Sequence, residues 1–413
     1  MPRLKGLQIE RNNMANCRVT AAKGFWAAGV SCGIKESGKP DLAILVCPTG
    51  AKAAAVFTTN KIVSAAVQVS RSHIKTAQTF GVIVNSGNAN ACTGGQGIKN
   101  AITMCRALAK EIGTNPHNVL VASTGIIGHQ LPIQKITSAI PKAGAKLSAS
   151  QKAGEGFLRA IMTTDTKMKC AIRRFKISGK TITIAGVAKG AGMIGPNMAT
   201  TLCFITTDAA ISKVLLAKAL KDAIGNSLNK LTVDGHQSTN DTAIILSSGL
   251  AGNRPIVEKG AAYKKFANEL LSLCDNLTRQ MALYAEGATR MFKVFVKGAS
   301  SLNDAAKSAR AVANYDLVKC AVHGGDPNWG RIICAVGSCG VRLNERKLNC
   351  KINDITVFKN GKPVKFDVKK ASAAIKKPFH TITVDLGVGE KTDFCYGCDL
   401  SKGYVTINAE YST

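Results

Sequence analysis

Short apolar runs alternate with longer amphipathic segments along this chain, which predicts a mixed α/β protein. The apolar runs are bounded by glycine and polar residues, as strands usually are. Strands are predicted at residues 42–47, 81–85, 119–124, 181–188, 202–207, 242–247, 292–296 and 332–337.

The amphipathic segments carry apolar residues at helical spacing, which predicts helices packed on a sheet. The clearest stripe precedes Gly113, a helix stop, and consists of Ile98, Ile102, Cys105, Leu108 and Ile112. Similar stripes cover residues 216–228 and 266–281. A chain of 413 residues exceeds what one core usually holds, so two domains are expected. The segment 141–155 is rich in Ala, Gly, Lys and Ser and is predicted as a weak connection.

Composition favours a globular cytoplasmic enzyme without a membrane span. The sequence is 46% hydrophobic and contains 39 glycines, but no apolar stretch approaches the roughly 20 residues that cross a bilayer. Its 14 cysteines, many in apolar runs, are interpreted as free thiols of a reducing compartment. Cys395 and Cys398 form a lone C-x-x-C, read as two thiols in a turn, and no metal site is predicted.

The formal net charge of +30 raises the possibility of a nucleic-acid-binding protein. However, the basic residues are spread along the chain, and only 5% of the residues are aromatic. Single-stranded nucleic-acid sites usually interleave the two residue types. A solvated basic surface is therefore the preferred interpretation.

A glycine motif follows the predicted strand 181–188. Gly190, Gly192 and Gly195 match the G-x-G-x-x-G of dinucleotide sites, and Asp208 follows at a plausible distance. A dinucleotide fold needs a helix between the glycines and the next strand, and only residues 196–200 are available for it. The glycines are therefore interpreted as a loop whose backbone approaches a ligand or another segment.

The segment that contains these glycines, KGAGMIGPNMATTLCFITTD (189–208), resembles the autocleavage motif of the ornithine acetyltransferase family. Seven further segments match that family in order and extend the resemblance over essentially the whole chain: VTAAKGFWAAGV (19–30), VNSGNANACTG (84–94), STGIIG (123–128), MTTDTKMK (162–169), STNDT (238–242), DPNWGRI (326–332) and YVTINAEYST (404–413).

The resemblance implies that the chain cuts itself between Ala199 and Thr200, giving an α chain (1–199) and a β chain (200–413). Thr200 would then be an N-terminal nucleophile, with its own α-amine as the general base. It would carry the acetyl group from N-acetylornithine to glutamate in arginine biosynthesis, by a ping-pong mechanism. The implied fold is a layered α/β sandwich, with a second, C-terminal α/β domain completing the pocket.

The resemblance also assigns roles to individual residues. Thr124 and Gly125 match the oxyanion-hole positions of the family. The substrate-binding positions fall, together with Thr200, on Thr163, Lys189, Glu286, Asn408 and Thr413. Lys189 could pair with a carboxylate and Glu286 with an ammonium. Thr164 is an alternative to its neighbour Thr163.

Some features depart from the family pattern or stay open. Thr201, His236 and Gly325 stand where Met, an acidic residue and Asn are usual, and His236 is interpreted as structural rather than catalytic. No cofactor is expected, although acetyl-CoA is a possible co-substrate. The resemblance suggests an assembly of two α and two β chains. A hydrolase that uses the same N-terminal threonine chemistry is the nearest alternative enzyme.

Overall fold

A computed structural model describes residues 18–195 and 201–410. The strands are Trp26–Val30 (β1), Leu42–Phe57 (β2), Thr79–Asn88 (β3), Val119–Ile126 (β4), Lys169–Ile177 (β5), Lys180–Lys189 (β6), Leu202–Thr207 (β7), Thr242–Ser247 (β8), Met291–Ala299 (β9), Asn349–Ile352 (β10), Ile355–Lys359 (β11), Lys362–Pro363 (β12), Phe379–Asp385 (β13) and Lys391–Cys398 (β14). The helices are Ala65–His73 (α1), Gly94–Glu111 (α2), Ile133–Gly144 (α3), Gln151–Ile161 (α4), Lys213–Gly225 (α5), Ala261–Leu283 (α6), Leu302–Asn314 (α7), Asp316–Gly324 (α8), Trp329–Gly337 (α9), Val368–Ile375 (α10) and Lys402–Glu410 (α11).

The long strand β2 connects two layers of one sheet. Its first half pairs with β1 and β3, and its second half pairs with β8. The order across the sheet is β4-β3-β2-β8-β7-β6-β5, with β1 beside β2. The register of β2 against β3 shifts between Val46 and Ala51, and Gly50, at φ +74°, lies in this irregular stretch. A side chain there would be strained in any case and would meet the ring of Phe80.

Alternate residues of each strand enter different cores, so these strands are buried on both faces. Leu45 of β2 and Phe204 of β7 meet in a core between the two layers, together with Phe157 of α4. Ile44 faces the helices α1–α3, whereas Ile205 faces α5 and α6. The resulting order of helix, sheet, sheet and helix confirms the predicted layered α/β sandwich.

A second sheet lies towards the C-terminus and has the order β12-β11-β10-β13-β9-β14. Helices α7–α9 share its main core, where Phe292, Val294 and Val296 of β9 are fully buried. Tyr396 of β14 joins the core around α6 instead, so the two sheets are packed together. Cys395 and Cys398 are buried within β14 rather than in the predicted turn.

The strand predicted at 332–337 is wrong, because these residues form most of helix α9. Asn328 caps the helix by accepting a hydrogen bond from the Arg331 N–H, and the buried residues Ile332, Ala335 and Val336 follow helical spacing. A short apolar run does not distinguish a buried strand from a buried helix, which explains the error.

The weak connection predicted at 141–155 is also wrong. The segment contains the end of α3 and the beginning of α4. The turn between these helices is hydrogen-bonded to β1, because the Ala27 N–H donates to the Ser148 carbonyl at 2.9 Å. In the part of the chain that the structure describes, no helix is long and apolar enough to cross a membrane. The division into chains 1–199 and 200–413 stays a prediction.

Candidate active site

A cavity of about 280 Å³ lies where the ends of β4 and β6 meet helix α11. The structure brings together there the six sequence-predicted site residues that it describes: Thr124, Gly125, Thr163, Lys189, Glu286 and Asn408. Thr164 lines the cavity as well, so both alternatives reach it. Ala199, Thr200 and Thr413 lie outside the described residues, and the roles assigned to all these positions stay predictions.

Lys189, the last residue of β6, places a cation at the cavity wall. Its side chain is 2% exposed and donates a hydrogen bond to Thr124 Oγ1 at 3.0 Å. Burial lowers the pKa of Lys189, while the carboxyl groups of Asp165, Asp241 and Glu286 oppose that shift. The ammonium also occupies a lone pair of the Thr124 hydroxyl, so the hydroxyl proton of Thr124 is available to another acceptor.

The backbone at Thr124 and Gly125 leaves the regular ladder between β3 and β4. Gly125, whose φ is +134°, pairs with Gly87 next to a register shift at Asn88. A Cβ atom on Gly125 would lie 2.3 Å from the carbonyl carbon of Gly87. Only glycine therefore fits at this position of the cavity wall.

Asp165 joins two parts of the cavity wall, and sequence reasoning assigned it no role. Its Oδ1 accepts hydrogen bonds from Lys169 Nζ and from the Gly190 N–H at 2.9 Å, and its Oδ2 accepts one from the Thr163 N–H at 3.3 Å. Burial opposes ionisation of Asp165, but Lys169 and Lys189 outweigh it and hold the pKa of this carboxyl below its usual range. Asp165 is therefore an anion that fixes the backbone of both Thr163 and Gly190.

The glycine loop 190–195 turns directly from β6 towards β7, which run antiparallel to each other. A dinucleotide-binding unit requires parallel strands, so the interpretation of the motif as a close-approach loop agrees with this geometry. The N–H groups of Met193 and Ile194 donate to the two carboxylate oxygens of Asp234 at 2.7 and 2.9 Å. A Cβ atom on Gly192 would lie 2.1 Å from Glu286 Oε2, so the absence of a side chain here gives the Glu286 carboxylate its space.

The C-terminal helix α11 completes the cavity wall opposite the strands. Asn408 Nδ2 donates to Glu286 Oε2 at 3.0 Å, and the Tyr404 hydroxyl donates to Asp234 Oδ2 at 3.1 Å. Glu286 is 8% exposed, and its N–H donates to the Ala191 carbonyl at 2.9 Å. The side chain of His236 also borders the cavity and is 70% exposed, and its interpretation as structural stays a prediction.

Two further residues stand out just before β8. Asn240 Nδ2 donates to the carbonyls of Ala89 and Ser123 at 2.6 and 2.8 Å, and Asp241 Oδ1 accepts the Thr201 N–H at 2.7 Å. Polar residues at the start of a wholly buried strand are the signal that could have identified them. In the sequence, residues 238–242 stand out only for their resemblance to the family motif.

The arrangement suits a small ligand that carries both signs of charge. A buried ammonium and a buried carboxylate line one cavity, with threonine hydroxyls and an amide beside them. Such groups fix the orientation of a ligand through charge-assisted hydrogen bonds.

Comparisons with known proteins agree over nearly the whole sequence. A model of the ArgJ family matches residues 26–413. The arginine biosynthesis bifunctional protein ArgJ of Symbiobacterium thermophilum is 44% identical over 397 residues, which covers 96% of this chain and 98% of the relative. The protein of the same name from Geobacillus kaustophilus is 42% identical over 401 residues and 97% of each chain.

Solved structures of similar proteins are also known. The crystal structure of arginine biosynthesis bifunctional protein ArgJ from Bacillus halodurans is 38% identical, covers 50% of this chain and 98% of that chain, and has a TM-score of 0.49. The structure of ornithine acetyltransferase from Mycobacterium tuberculosis complexed with ornithine is 33% identical, covers 45% and 97%, and has a TM-score of 0.40.

Proposed function

The chain belongs to the ArgJ family and is an acetyltransferase of arginine biosynthesis, and from this premise we propose how its own residues act. The proposed reaction moves the acetyl group of N-acetylornithine to glutamate through an acetyl ester on Thr200. The observation that carries the proposal is the cavity in which buried Lys189 and Glu286 lie beside Thr124 and Gly125. An amino acid presents a carboxylate and an ammonium, so it requires both signs of charge in one site.

The proposed reaction begins with self-cleavage between Ala199 and Thr200. The Thr200 hydroxyl attacks the Ala199 carbonyl, the peptide C–N bond breaks, and the released nitrogen takes up the hydroxyl proton. Water then hydrolyses the ester that joins Ala199 to the Thr200 oxygen. This step frees the α-amine of Thr200, whose unperturbed pKa is about 8, so it can accept the proton of the Thr200 hydroxyl.

In the first half-reaction, Thr200 Oγ attacks the acetyl carbonyl of N-acetylornithine. The tetrahedral oxyanion needs donors that are already in place, and the Thr124 hydroxyl and the backbone at Gly125 are the candidates. Because Lys189 donates to Thr124 Oγ1, the Thr124 hydroxyl keeps its own proton for the oxyanion. Collapse of the intermediate breaks the C–N bond, and the departing α-amine of ornithine takes up the proton.

In the second half-reaction, the amine of glutamate attacks the acetyl ester and releases Thr200 in its original form. Both amino acids share an α-carboxylate, for which Lys189 is the proposed partner, while Glu286 with Asn408 would meet an ammonium. Relatives named bifunctional support the further proposal that acetyl-CoA also serves as donor, with no resident cofactor. An assembly of two α and two β chains belongs to the same proposal.

Intact mass spectrometry tests the proposal directly. Wild-type protein should give two chains that meet at Ala199–Thr200, whereas Thr200→Ala should stay uncut. Incubation with N-acetylornithine should add one acetyl group to the β chain, and glutamate should remove it as N-acetylglutamate. An uncut wild type with the full mass of 43.3 kDa would contradict the proposal. Release of acetate instead of N-acetylglutamate would support a hydrolase.

A further inference from the structure

The carboxyl group of Asp241 is buried, and its two oxygens differ in their hydrogen bonding. The residue is 0% exposed, and its Oδ1 accepts the Thr201 N–H at 2.7 Å. Within residues 18–195 and 201–410, its Oδ2 has no hydrogen-bond partner. A buried carboxyl oxygen without a partner is costly and rare in folded proteins, so it calls for a functional explanation.

The position of Asp241 along the chain connects it with the proposed nucleophile. The Thr201 nitrogen is covalently bonded to the carbonyl carbon of residue 200. Because Asp241 Oδ1 accepts the Thr201 N–H, the carboxyl group with the unused Oδ2 is bound to the backbone N–H that directly follows the proposed nucleophile in the chain.

The surrounding segment holds this carboxyl rigidly. The Thr242 N–H donates to the Thr201 carbonyl at 2.9 Å, so both backbone groups of Thr201 are bound by consecutive residues. Asn240 donates to the Ser123 carbonyl, which precedes Thr124 directly. Residues 240–242 therefore fix the start of β7 relative to the proposed oxyanion donors.

The charge state of Asp241 depends on what lies beside it. Burial raises the pKa of Asp241 well above its ordinary value, while the Thr201 N–H and the ammonium of Lys189 on β6 oppose this. In an uncut chain the nitrogen of residue 200 is a neutral amide, which offers the carboxyl group no positive charge. An amine created beside it would favour the ionised form.

We propose that Asp241 is the positioning residue of the Thr200 amine: its free oxygen accepts an N–H of that amine and directs the nitrogen lone pair towards the Thr200 hydroxyl. When the amine takes the hydroxyl proton, the carboxylate stabilises the ammonium that forms, and the ammonium then returns the proton to the leaving amine of ornithine. The third member of a catalytic triad orients its base in the same way. This inference rests on the proposed self-cleavage.

The test compares Asp241→Asn with wild type in the full-length processed enzyme. The asparagine keeps an acceptor for the Thr201 N–H, but its amide cannot ionise or accept at the second position. We expect self-cleavage to proceed and kcat to fall by about 100-fold with little change in KM. The acidic limb of the profile of kcat/KM against pH should move to lower pH, because the amine loses the anion that favours its protonated form.

Asp208→Asn is the matched control. Asp208 is also a buried aspartate with a raised pKa, caused first by burial, and it accepts the Thr183 N–H at 2.8 Å at the opposite end of β7. This variant should keep the kcat and the pH profile of the wild type.

Each outcome decides the proposal. Unchanged kcat and pH profile in processed Asp241→Asn would overturn it, while acetylation of wild-type Thr200 would leave the proposed function intact. An Asp241→Asn chain that folds but stays uncut would also overturn it, because Asp241 would then act before the amine exists. If this variant does not fold, infrared spectra of uncut Thr200→Ala and processed wild type decide: the band of one protonated carboxyl should disappear on processing, and its persistence would refute the proposal.

Discussion

Gly192→Ala provides a sharp test of the role of Glu286, because it adds one methyl group beside that carboxylate. The new Cβ would lie 2.1 Å from Oε2 and 2.6 Å from Cδ of Glu286. The carboxylate oxygen must retreat by about 1.3 Å before an ordinary van der Waals separation is restored. Oε2 is also the atom that accepts the hydrogen bond from Asn408, so the displacement weakens this contact.

The expected loss follows from the strength of a hydrogen bond to a charged group, about 1.5–3 kcal/mol. At 1.4 kcal/mol per factor of ten, kcat/KM for N-acetylornithine should fall by roughly 10- to 150-fold. Self-cleavage should continue, because Glu286 has no part in the proposed cut. The assay follows ornithine release at several donor concentrations, with processing checked by mass spectrometry.

Gly225→Ala is the matched control, since a Cβ atom there meets nothing within 4 Å. This variant should behave like wild type. A Gly192→Ala enzyme with wild-type kcat/KM would refute the argument, because the crowded carboxylate could then not be a substrate contact.

Three other expectations test separate features. Lys169→Met should leave the buried carboxylate of Asp165 without its closest cation, and should cost about 3–5 kcal/mol of stability. The midpoint of thermal unfolding should fall accordingly, and an unchanged midpoint would show that the ion pair contributes little to stability. Truncation after Glu410 should raise KM for both amino acids by about tenfold without preventing self-cleavage, and unaltered steady-state constants would exclude Thr413 from the site. Burial lowers the pKa of His380 from 6.5 to about 4. Between these two pH values the unfolded chain therefore binds more protons than the folded protein. The free energy of unfolding should fall by about 3 kcal/mol as the pH drops from 6.5 to 4. His380→Phe should flatten this dependence in urea titrations at several pH values, and an unchanged slope would mean that another group causes it.

Periodicity predicted the elements whose apolar residues repeat over several turns or alternate between two buried faces. The stripe that ends at Ile112 and the stripe at 266–281 became α2 and α6. The apolar run at 332–337 is too short to show whether its residues follow a helical or a strand period. The residue that caps helix α9, Asn328, lies before this run. The segment 141–155 has no strong stripe because it spans the end of α3 and the start of α4, whose buried residues lie mostly outside it.

The shape of the site followed from the family resemblance rather than from periodicity. Lys189 and Glu286 are far apart in sequence, and only the folded chain brings them to one cavity. Asp165 and Asp241 were missed because their importance lies in what they hold, namely backbone N–H groups of Gly190 and Thr201. Such bonds leave no spacing signature in a sequence.

The antiparallel pairing of β6 and β7 has a consequence for how the protein assembles. Lys189 is paired with Leu202, so the proposed cut lies in the connection between two neighbouring strands in the interior of one sheet. We expect the uncut precursor to fold as a single chain, at a rate independent of its concentration. Once the connection is cut, the halves remain joined by the ladder and by a shared core, but a denatured sample must bring two separate chains together. Refolding of the mature enzyme would then be second order and would slow on dilution, whereas Thr200→Ala would refold equally fast at every concentration.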